Sequence, residues 1–171
     1  MKKAVFLDRD GVINIDKGYV SKVEDFTFIE GVMQTLRELK NAGFLLFIVT
    51  NQSGIGRGYY SEDDYLMLTR WMIEKFKENE ISIAKIYHCS HSPEENCDCR
   101  KPKPAMLLKA IEEFGVNPKV SWMVGDKKSD IDAAKNAGVE NCIYIGDEKI
   151  DFVYNHRSLK DAKNRILGEK Q

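Results

Sequence analysis

Short apolar segments alternate with segments of helical periodicity along the chain. Mostly apolar runs of strand length occur at Ala4–Leu7, Leu45–Val49, Ile83–Tyr87, Trp122–Val124 and Cys142–Ile145. The second run is apolar throughout, which is typical of a strand that is buried on both faces of a parallel sheet. We therefore predict a strand in each of these segments.

Helical periodicity occupies the intervals between these strands. Gly31–Ala42 has apolar residues at helical spacing and is followed by Gly43, a good C-terminal cap. Ser61 and Asp64 form a capping-box pattern that predicts the start of a long helix. Further helices are predicted from Pro104 to Gly115, over Asp130–Ala137 and from Ser158. This alternation predicts an α/β fold, in which helices cover both faces of a parallel sheet.

Polar residues follow the predicted strands directly. Asp8 and Asp10 come after the first strand, Thr50–Ser53 after the second, and Gly125 and Asp126 after the fourth. In an open parallel sheet the carboxyl ends of the strands share one edge, where ligands bind. We therefore expect these distant segments to meet in one crevice.

The acidic residues of that crevice predict a cation site. Two like charges about 4 Å apart repel by about 4 kcal/mol at an effective dielectric constant of about 20. Asp8, Asp10 and Asp126, with Asp130 as an optional fourth member, would therefore need a cation or raised pKa values. Oxygen ligands suit a hard ion, and Mg²⁺ is the usual one beside phosphate. The alternative is that Asp8 and Asp10 only begin a turn and Asp126 only caps a helix.

Two further segments have the composition of phosphate-binding elements. Thr50–Gly54 supplies hydroxyl and amide groups, and such a turn at a helix N-terminus can direct N–H groups at an anion. Arg100–Lys103 contains three cations. An ordinary strand-ending turn and a solvated run of charge are the alternatives for these two segments.

Composition and charge restrict the class of protein. The 171 residues are 43% hydrophobic and 31% charged, which is typical of one globular domain, predicted over residues 1–171. A net charge of -1 excludes a dominant nucleic-acid-binding surface. No apolar run approaches the ~20 residues of a membrane span, and Ala4–Leu7 is too short for the core of a secretory signal. We expect a cytoplasmic monomer without nucleic-acid or membrane partners.

Four cysteine and histidine residues lie close together in the sequence. Cys89 and His91 are followed by Cys97 and Cys99, and in a cytoplasmic protein such cysteines favour metal binding over disulfides. Three thiolates and one imidazole complete a tetrahedral zinc site, so the predicted Zn²⁺ would be structural. The alternative is three unrelated thiols and a surface imidazole. Cys142 lies in an apolar strand and is interpreted as a small buried hydrophobic residue.

The motifs and their order are similar to those of a known enzyme superfamily. Phe6–Val12 resembles the first motif of the haloacid dehalogenase superfamily of phosphohydrolases, Thr50-Asn51 the second, Lys101 the third and Gly125–Asp130 the fourth. The resemblance implies a Rossmann-like three-layer sandwich with a mostly parallel sheet and a zinc-binding loop. No large cap domain is expected, because predicted helices and strands fill the intervals between the motifs.

A narrower resemblance concerns one group within the superfamily. Asp16–Val20, Thr50–Gly58 and Cys97–Pro102 resemble segments of the D-glycero-D-manno-heptose 1,7-bisphosphate 7-phosphatases, enzymes of nucleotide-heptose and lipopolysaccharide biosynthesis. The resemblance implies Mg²⁺-dependent hydrolysis of the 7-phosphate of that small phosphorylated sugar. Histidinol-phosphate phosphatases share the zinc loop and are the alternative, although Gly18–Val20 and Ser53–Gly58 favour the heptose enzymes.

The resemblance also implies roles for individual residues. Asp8 would attack phosphorus and form an aspartyl phosphate, and Asp10 would act first as general acid and then as general base. Thr50 and Lys101 would complete the catalytic set, and Mg²⁺ would bind Asp8, Asp126 and the backbone carbonyl of Asp10. The residues expected to bind the substrate are Asp16, Lys17, Gly18, Tyr19, Thr50, Asn51, Gln52, Ser53, Arg100, Lys101 and Lys127.

Two interpretations from other functional classes remain open at this point. A non-catalytic phosphoacceptor module also uses a parallel sheet, an acidic crevice, Mg²⁺, a threonine and a lysine. It would carry its acceptor aspartate on a middle strand, whereas Asp8 follows the first strand here. A zinc-ribbon interaction domain would explain the cysteine cluster and leave the rest of the chain without a role.

Overall fold

A parallel six-stranded sheet forms the centre of the protein. The structure, a computed structural model, describes residues 1–169, so Lys170 and Gln171 of the predicted domain lie outside the described residues. The strands are β1 (Ala4–Leu7), β2 (Leu45–Asn51), β3 (Lys85–Cys89), β4 (Trp122–Gly125), β5 (Asn141–Ile145) and β6 (Tyr154–His156). Their spatial order is β3-β2-β1-β4-β5-β6, and every pair is parallel. The predicted α/β fold is confirmed.

Helices cover both faces of this sheet. They are α1 (Val32–Asn41), α2 (Ser53–Gly56), α3 (Glu62–Glu78), α4 (Ala105–Phe114), α5 (Lys128–Asn136) and α6 (Leu159–Leu167). Val5 and Leu7 pack with α1, α3 and α6, whereas Ala4 and Phe6 pack with α4 and α5 on the other face. Successive side chains of a strand point to opposite faces, so a continuously apolar β1 serves two cores.

The observed elements differ from the predicted ones at the edges of the sheet. The third strand begins at Lys85 rather than Ile83, because Ile81 and Ile83 pack into the core before strand pairing starts. The edge strand β6 was not predicted, since it contains the polar residues Tyr154, Asn155 and His156. Edge strands commonly carry polar residues, so they lack the apolar run from which the other strands were predicted.

The strand order places the candidate site. The chain runs from β1 to β2 on one side of the sheet and later returns to β4 on the other side of β1. A ligand crevice is expected at such a switch point, outside the carboxyl ends of the strands. The backbone N–H of Asp8 donates to the carbonyl of Val124 at 3.0 Å, so the segments after β1 and β4 begin side by side. No helix in the described part of the chain is long and apolar enough to cross a membrane.

Candidate active site and metal centre

A cavity of about 320 Å³ lies at the carboxyl ends of the central strands. It is lined by most of the predicted site residues, namely Asp8, Asp10, Asp16, Gly18, Tyr19, Asn51, Gln52, Ser53, Arg100, Lys101 and Lys127. The cavity is also lined by Tyr60, Ser129 and Asp130. No role was predicted for Tyr60 or Ser129, and Asp130 was predicted only as an optional fourth acid.

Two predicted substrate-binding residues do not line this cavity. The Lys17 ammonium is exposed and donates to the Thr27 hydroxyl at 3.0 Å. Thr50 is fully buried, and its hydroxyl oxygen accepts a hydrogen bond from the Gln52 amide at 2.9 Å. Substrate contact by these two side chains stays a prediction.

Three acidic side chains meet beside the cavity, and two of them, Asp8 and Asp130, line it. Asp8, Asp126 and Asp130 each offer a carboxylate oxygen, and these atoms lie within 4.8 Å of one another. Burial and the nearby Asp130 carboxylate raise the pKa of Asp8 to about 6, against the opposing effect of Lys101. Burial and Asp8 likewise raise the pKa of Asp126 to about 6. Buried carboxylates that repel one another are a suitable set for a hard divalent cation such as Mg²⁺, whose charge would favour their ionised form.

Lys101 lies between two of these carboxylates. Its ammonium donates to Asp8 at 3.1 Å, to Asp130 at 2.6 Å and to the carbonyl of Val49 at 2.7 Å. Burial by itself would lower the pKa of Lys101, but Asp130 and Asp8 outweigh it and raise that pKa. The lysine is therefore charged at neutral pH and compensates part of the negative charge of the cluster.

Asn51 fixes the backbone that carries Lys101. The Asn51 side-chain amide donates to the Lys101 carbonyl at 3.2 Å, and its oxygen accepts from the Lys101 N–H at 3.0 Å. This reciprocal pair connects the end of β2 to the segment after the cysteine cluster. Asn51 lines the cavity, as expected of a substrate-binding residue, and its side chain also holds another site residue in place.

Asp130 supports the site rather than facing its centre. One carboxylate oxygen accepts from Lys101, and the other accepts from the backbone N–H groups of Asp126 and Lys127, each at 3.1 Å. A Cβ at Gly125 would lie 2.3 Å from that of Asp130, so only glycine allows the close approach. We interpret Asp130 as the group that orients Lys101 and the turn after β4.

Asp10 is surrounded by hydrogen-bond donors. One carboxylate oxygen accepts from Arg9 and from Asn14 at 2.9 Å, and the other accepts from Gln52 at 3.2 Å. The Gln52 amide is itself oriented by the Tyr60 hydroxyl, which donates to its oxygen at 2.5 Å. No role was predicted for Arg9, Asn14 or Tyr60, because a buried polar contact produces no periodicity or motif in the sequence.

The four predicted zinc ligands converge in space. The Cys97 sulfur lies 3.5 Å from that of Cys89 and 3.8 Å from that of Cys99, and His91 Nδ1 lies 3.3 Å from the Cys99 sulfur. The Cys89 and Cys99 sulfurs are in direct contact. All four ligand atoms lie within 4.8 Å of one another, and three cysteine sulfurs with one imidazole nitrogen are a complete donor set for a tetrahedral zinc ion.

The turn after β2 packs directly on the loop that holds these ligands. A Cβ at Gly56 would lie 2.6 Å from the backbone nitrogen of Ser92 and 2.8 Å from the carbonyl oxygen of Ser90. Because backbone atoms cannot give way as flexible side chains do, this contact requires glycine. The cysteine cluster therefore supports α2 as well as the segment Arg100-Lys101, which follows Cys99 directly.

Comparison with protein families and known proteins places the chain among phosphatases. The family model described as a haloacid dehalogenase-like hydrolase matches residues 2–138. The D-glycero-beta-D-manno-heptose-1,7-bisphosphate 7-phosphatase of Pasteurella multocida is 50% identical, over 99% of this chain and 100% of the relative. The D-glycero-alpha-D-manno-heptose-1,7-bisphosphate 7-phosphatase of Campylobacter jejuni is 49% identical, over 95% of this chain and 94% of the relative.

A solved structure agrees over the whole fold. The D,D-heptose 1.7-bisphosphate phosphatase from B. bronchiseptica, in complex with magnesium and phosphate, superposes with a TM-score of 0.88. It is 25% identical, and the match covers 98% of this chain and 99% of that structure. This chain is therefore similar in sequence and in fold to sugar-bisphosphate phosphatases.

Proposed function

Because the chain belongs to the haloacid dehalogenase-like hydrolase family, we propose that it removes the 7-phosphate of D-glycero-D-manno-heptose 1,7-bisphosphate. The observation that carries this proposal is the buried Asp8 carboxylate in the cavity, 3.1 Å from the Lys101 ammonium and beside Asp126. The identity of the sugar comes from the relatives, whose names include both anomers. The product would enter the nucleotide-heptose biosynthesis that serves lipopolysaccharide.

Asp8 is the proposed nucleophile. Two hydrogen bonds fix its Oδ1 atom, one from the Lys101 ammonium at 3.1 Å and one from the backbone N–H of Arg9 at 2.9 Å. A bond forms between the Asp8 carboxylate and phosphorus while the bond from phosphorus to the sugar oxygen breaks. Lys101 contributes positive charge where the phosphoryl oxygens gather, and positioning with electrostatics supplies most of the catalysis in such transfers.

Asp10 is the proposed general acid and base. Its carboxyl group gives a proton to the sugar oxygen as that oxygen leaves phosphorus. The resulting carboxylate then takes a proton from the water that attacks the aspartyl phosphate, which releases inorganic phosphate and restores Asp8. One group can serve both steps because the first step leaves it in the protonation state that the second requires.

Asp8, Asp126 and the backbone carbonyl of Asp10 are the proposed ligands of Mg²⁺. The bound cation supplies charge neutralisation between the carboxylate and the phosphate. Asp130 is not included, because both of its oxygens already accept hydrogen bonds from Lys101 and from backbone N–H groups.

Cys89, His91, Cys97 and Cys99 are the proposed ligands of a structural Zn²⁺. Four protein ligands leave no open coordination position, so the ion stabilises the loop and takes no part in hydrolysis. Its effect on the active site is through Arg100 and Lys101, since both line the cavity and follow the last ligand directly.

The two walls of the cavity are the proposed sugar-binding surface. Asp16, Gly18 and Tyr19 line one side, and Arg100 lines the cavity from the segment after the cysteine cluster. Lys127 lies 3.7 Å from Asp16 and 3.4 Å from Asp126, so it connects the sugar side to the acidic cluster. We assign substrate contact to these side chains and to the turn at Ser53.

A panel of phosphate esters tests the proposed substrate. We expect phosphate release from both anomers of heptose 1,7-bisphosphate, with a kcat/KM at least about 100-fold above that for histidinol phosphate. The reaction product should retain its 1-phosphate by ³¹P NMR. Equal or faster turnover of histidinol phosphate would replace the heptose assignment with the alternative that shares the zinc loop.

Four broader properties complete the proposal. We assign residues 1–171 to one phosphatase domain, since both cores of the described part pack on a single sheet. We also assign the chain to the cytoplasm as a monomer without nucleic-acid or membrane partners, in keeping with its net charge of -1. Size-exclusion chromatography with light scattering should return one mass, near 19.6 kDa.

A further inference from the structure

Arg9 is one of the most deeply buried side chains of the protein. It is 1% exposed, although arginine is normally found at the surface. A guanidinium in the interior is tolerated only when paired and hydrogen-bonded. In the sequence Arg9 lies between Asp8, the proposed nucleophile, and Asp10, the proposed general acid and base. Its contacts with these neighbours therefore bear on the reaction.

The guanidinium of Arg9 grips the carboxylate of Asp10. Nε and Nη2 lie 3.3 Å and 3.0 Å from one carboxylate oxygen, and Nη2 lies 3.2 Å from the other. A planar fork of donors fixes both the position and the rotation of a carboxylate, which a lysine ammonium cannot do. Among residues 1–169, this is the one ion pair that the structure gives Asp10.

The same nitrogen also holds the loop on the sugar side. Nη2 donates to the carbonyl oxygen of Val20 at 2.7 Å, and the guanidinium lies 5.9 Å from the centre of the Phe26 ring. Val20 ends the segment Asp16–Val20, of which Asp16, Gly18 and Tyr19 line the cavity. Arg9 therefore joins the proposed acid and a wall of the cavity through one buried group.

We propose that Arg9 is a positioning residue that holds the Asp10 carboxylate toward the leaving-group oxygen and ties its placement to the Asp16–Val20 loop. This inference rests on the proposed role of Asp10 in proton transfer. Arg9 itself is not among the residues that line the cavity. Its loss should therefore affect proton transfer to the leaving group much more than binding of the phosphate.

The test compares Arg9→Lys and Arg9→Gln with the wild type on two leaving groups. Release of a sugar alkoxide needs a proton, whereas release of nitrophenolate from p-nitrophenyl phosphate does not. We expect kcat for the heptose substrate to fall about 100-fold, with KM changed by less than about 3-fold. The rate constant of the pre-steady-state burst of nitrophenolate should fall by less than about 10-fold. Equal losses with both substrates would overturn the proposal.

A double-mutant cycle with Asp10→Asn separates positioning from a general loss of structure. If Arg9 acts through Asp10, Arg9→Lys should change kcat by less than about 2-fold once Asp10 is Asn. Additive losses would contradict the proposal. Phe26→Leu is the matched control, because it removes packing beneath the guanidinium and keeps both of its polar contacts. It should lower the melting temperature without a loss specific to the sugar substrate.

Hydrogen exchange keeps the proposal testable if the Arg9 variants do not fold. Asp10→Asn removes the charged partner of Arg9, so the backbone amides of Gly18–Ser21 should exchange at least about 3-fold faster than in the wild type. Unchanged exchange would contradict the link to the loop. If heptose bisphosphate is not hydrolysed, the proposed substrate fails. The nitrophenyl burst, the exchange experiment and any sugar phosphate that the wild type does hydrolyse still decide the role of Arg9.

Discussion

At the scale of single residues, the active site depends on how buried charges are paired. Lys101 and Asp8 are each almost fully buried, and a buried ion pair contributes little net stability while the loss of one partner is costly. The arrangement is therefore better explained by chemistry than by stability. It keeps a proposed nucleophile, a cation and a candidate metal ligand within one small volume.

Asp8→Asn tests the nucleophile. We expect turnover of every phosphate ester to fall by at least about 10⁴-fold, because an amide cannot form the covalent intermediate. The variant should remain folded, since Asn occupies the same volume and Lys101 keeps its contacts with Asp130 and with the carbonyl of Val49. Steady-state kinetics and circular dichroism check the two expectations. Retained activity would contradict the assignment.

Asp130→Ala tests the supporting carboxylate. It leaves the Lys101 ammonium without its shortest carboxylate contact and two backbone N–H groups without an acceptor. We expect a loss of about 3–5 kcal/mol in the free energy of unfolding, measured by urea denaturation. The control is Asp132→Ala on the same helix, which removes an exposed pair with Lys128 and should change stability by less than about 1 kcal/mol. A similar small effect at both positions would mean that Asp130 does not support the site.

At the scale of elements, the apolar runs predicted the central strands correctly. The conformation of the turns after these strands could be seen only in the structure. The predicted bounds of β1 are the observed ones, because a strand buried on both faces is apolar throughout. The prediction of β3 was displaced toward residues that are apolar for packing reasons, and polar β6 was missed. The hydrogen bond from Tyr60 to Gln52 depends on how the chain folds back after β2, and no local sequence pattern predicts such a contact.

The sequence also indicated most of the candidate site, because its residues follow strands whose ends must meet. It could not show which side chains face the cavity. Thr50 and Asn51 follow one another, yet the hydroxyl of the first is buried beneath Gln52 and the amide of the second holds Lys101. Side-chain direction in such segments depends on tertiary contacts, and the Lys17 ammonium likewise bonds to the Thr27 hydroxyl, a contact that the sequence does not indicate.

Cys99→Ser tests the metal loop as an element. Wild-type protein should contain about one equivalent of zinc by elemental analysis, and the variant should lose most of it. We expect its melting temperature to fall by about 5–10 °C together with activity, because zinc binding is coupled to folding of the loop. Cys142→Ala, at a buried thiol in β5, is the control and should keep its zinc. An unchanged melting temperature and zinc content in Cys99→Ser would contradict a bound metal.

At the scale of the whole molecule, stability and metal binding are linked through the acidic cluster. The pKa values of Asp8 and Asp126 lie near 6 in the fold, above the value of 3.8 expected without burial. Groups with a raised pKa stabilise the fold fully below about pH 4, and that contribution is lost as the pH rises through about 6. Bound Mg²⁺ reverses the loss, since it neutralises the ionised carboxylates.

Thermal unfolding at two pH values tests this linkage. With zinc in place and no Mg²⁺, the protein should melt about 5 °C higher at about pH 5 than at about pH 7.5. Excess Mg²⁺ should raise the melting temperature more at the higher pH. Asp126→Asn should weaken both effects, as it removes one of the two acids. A melting temperature that does not change on addition of Mg²⁺ at either pH would count against a cation in this cluster.

The short distance in sequence from Cys99 to Lys101 has a physiological consequence. Two residues span at most about 7 Å, so a loop that loses its shape would disturb the backbone of Lys101, which Asn51 holds from the other side. Without the proposed Zn²⁺ in the loop, a cell would lose part of the proposed phosphatase activity, even with magnesium in plentiful supply. Supply of one trace element would in this way limit a proposed step of glycan assembly whose chemistry never touches that element.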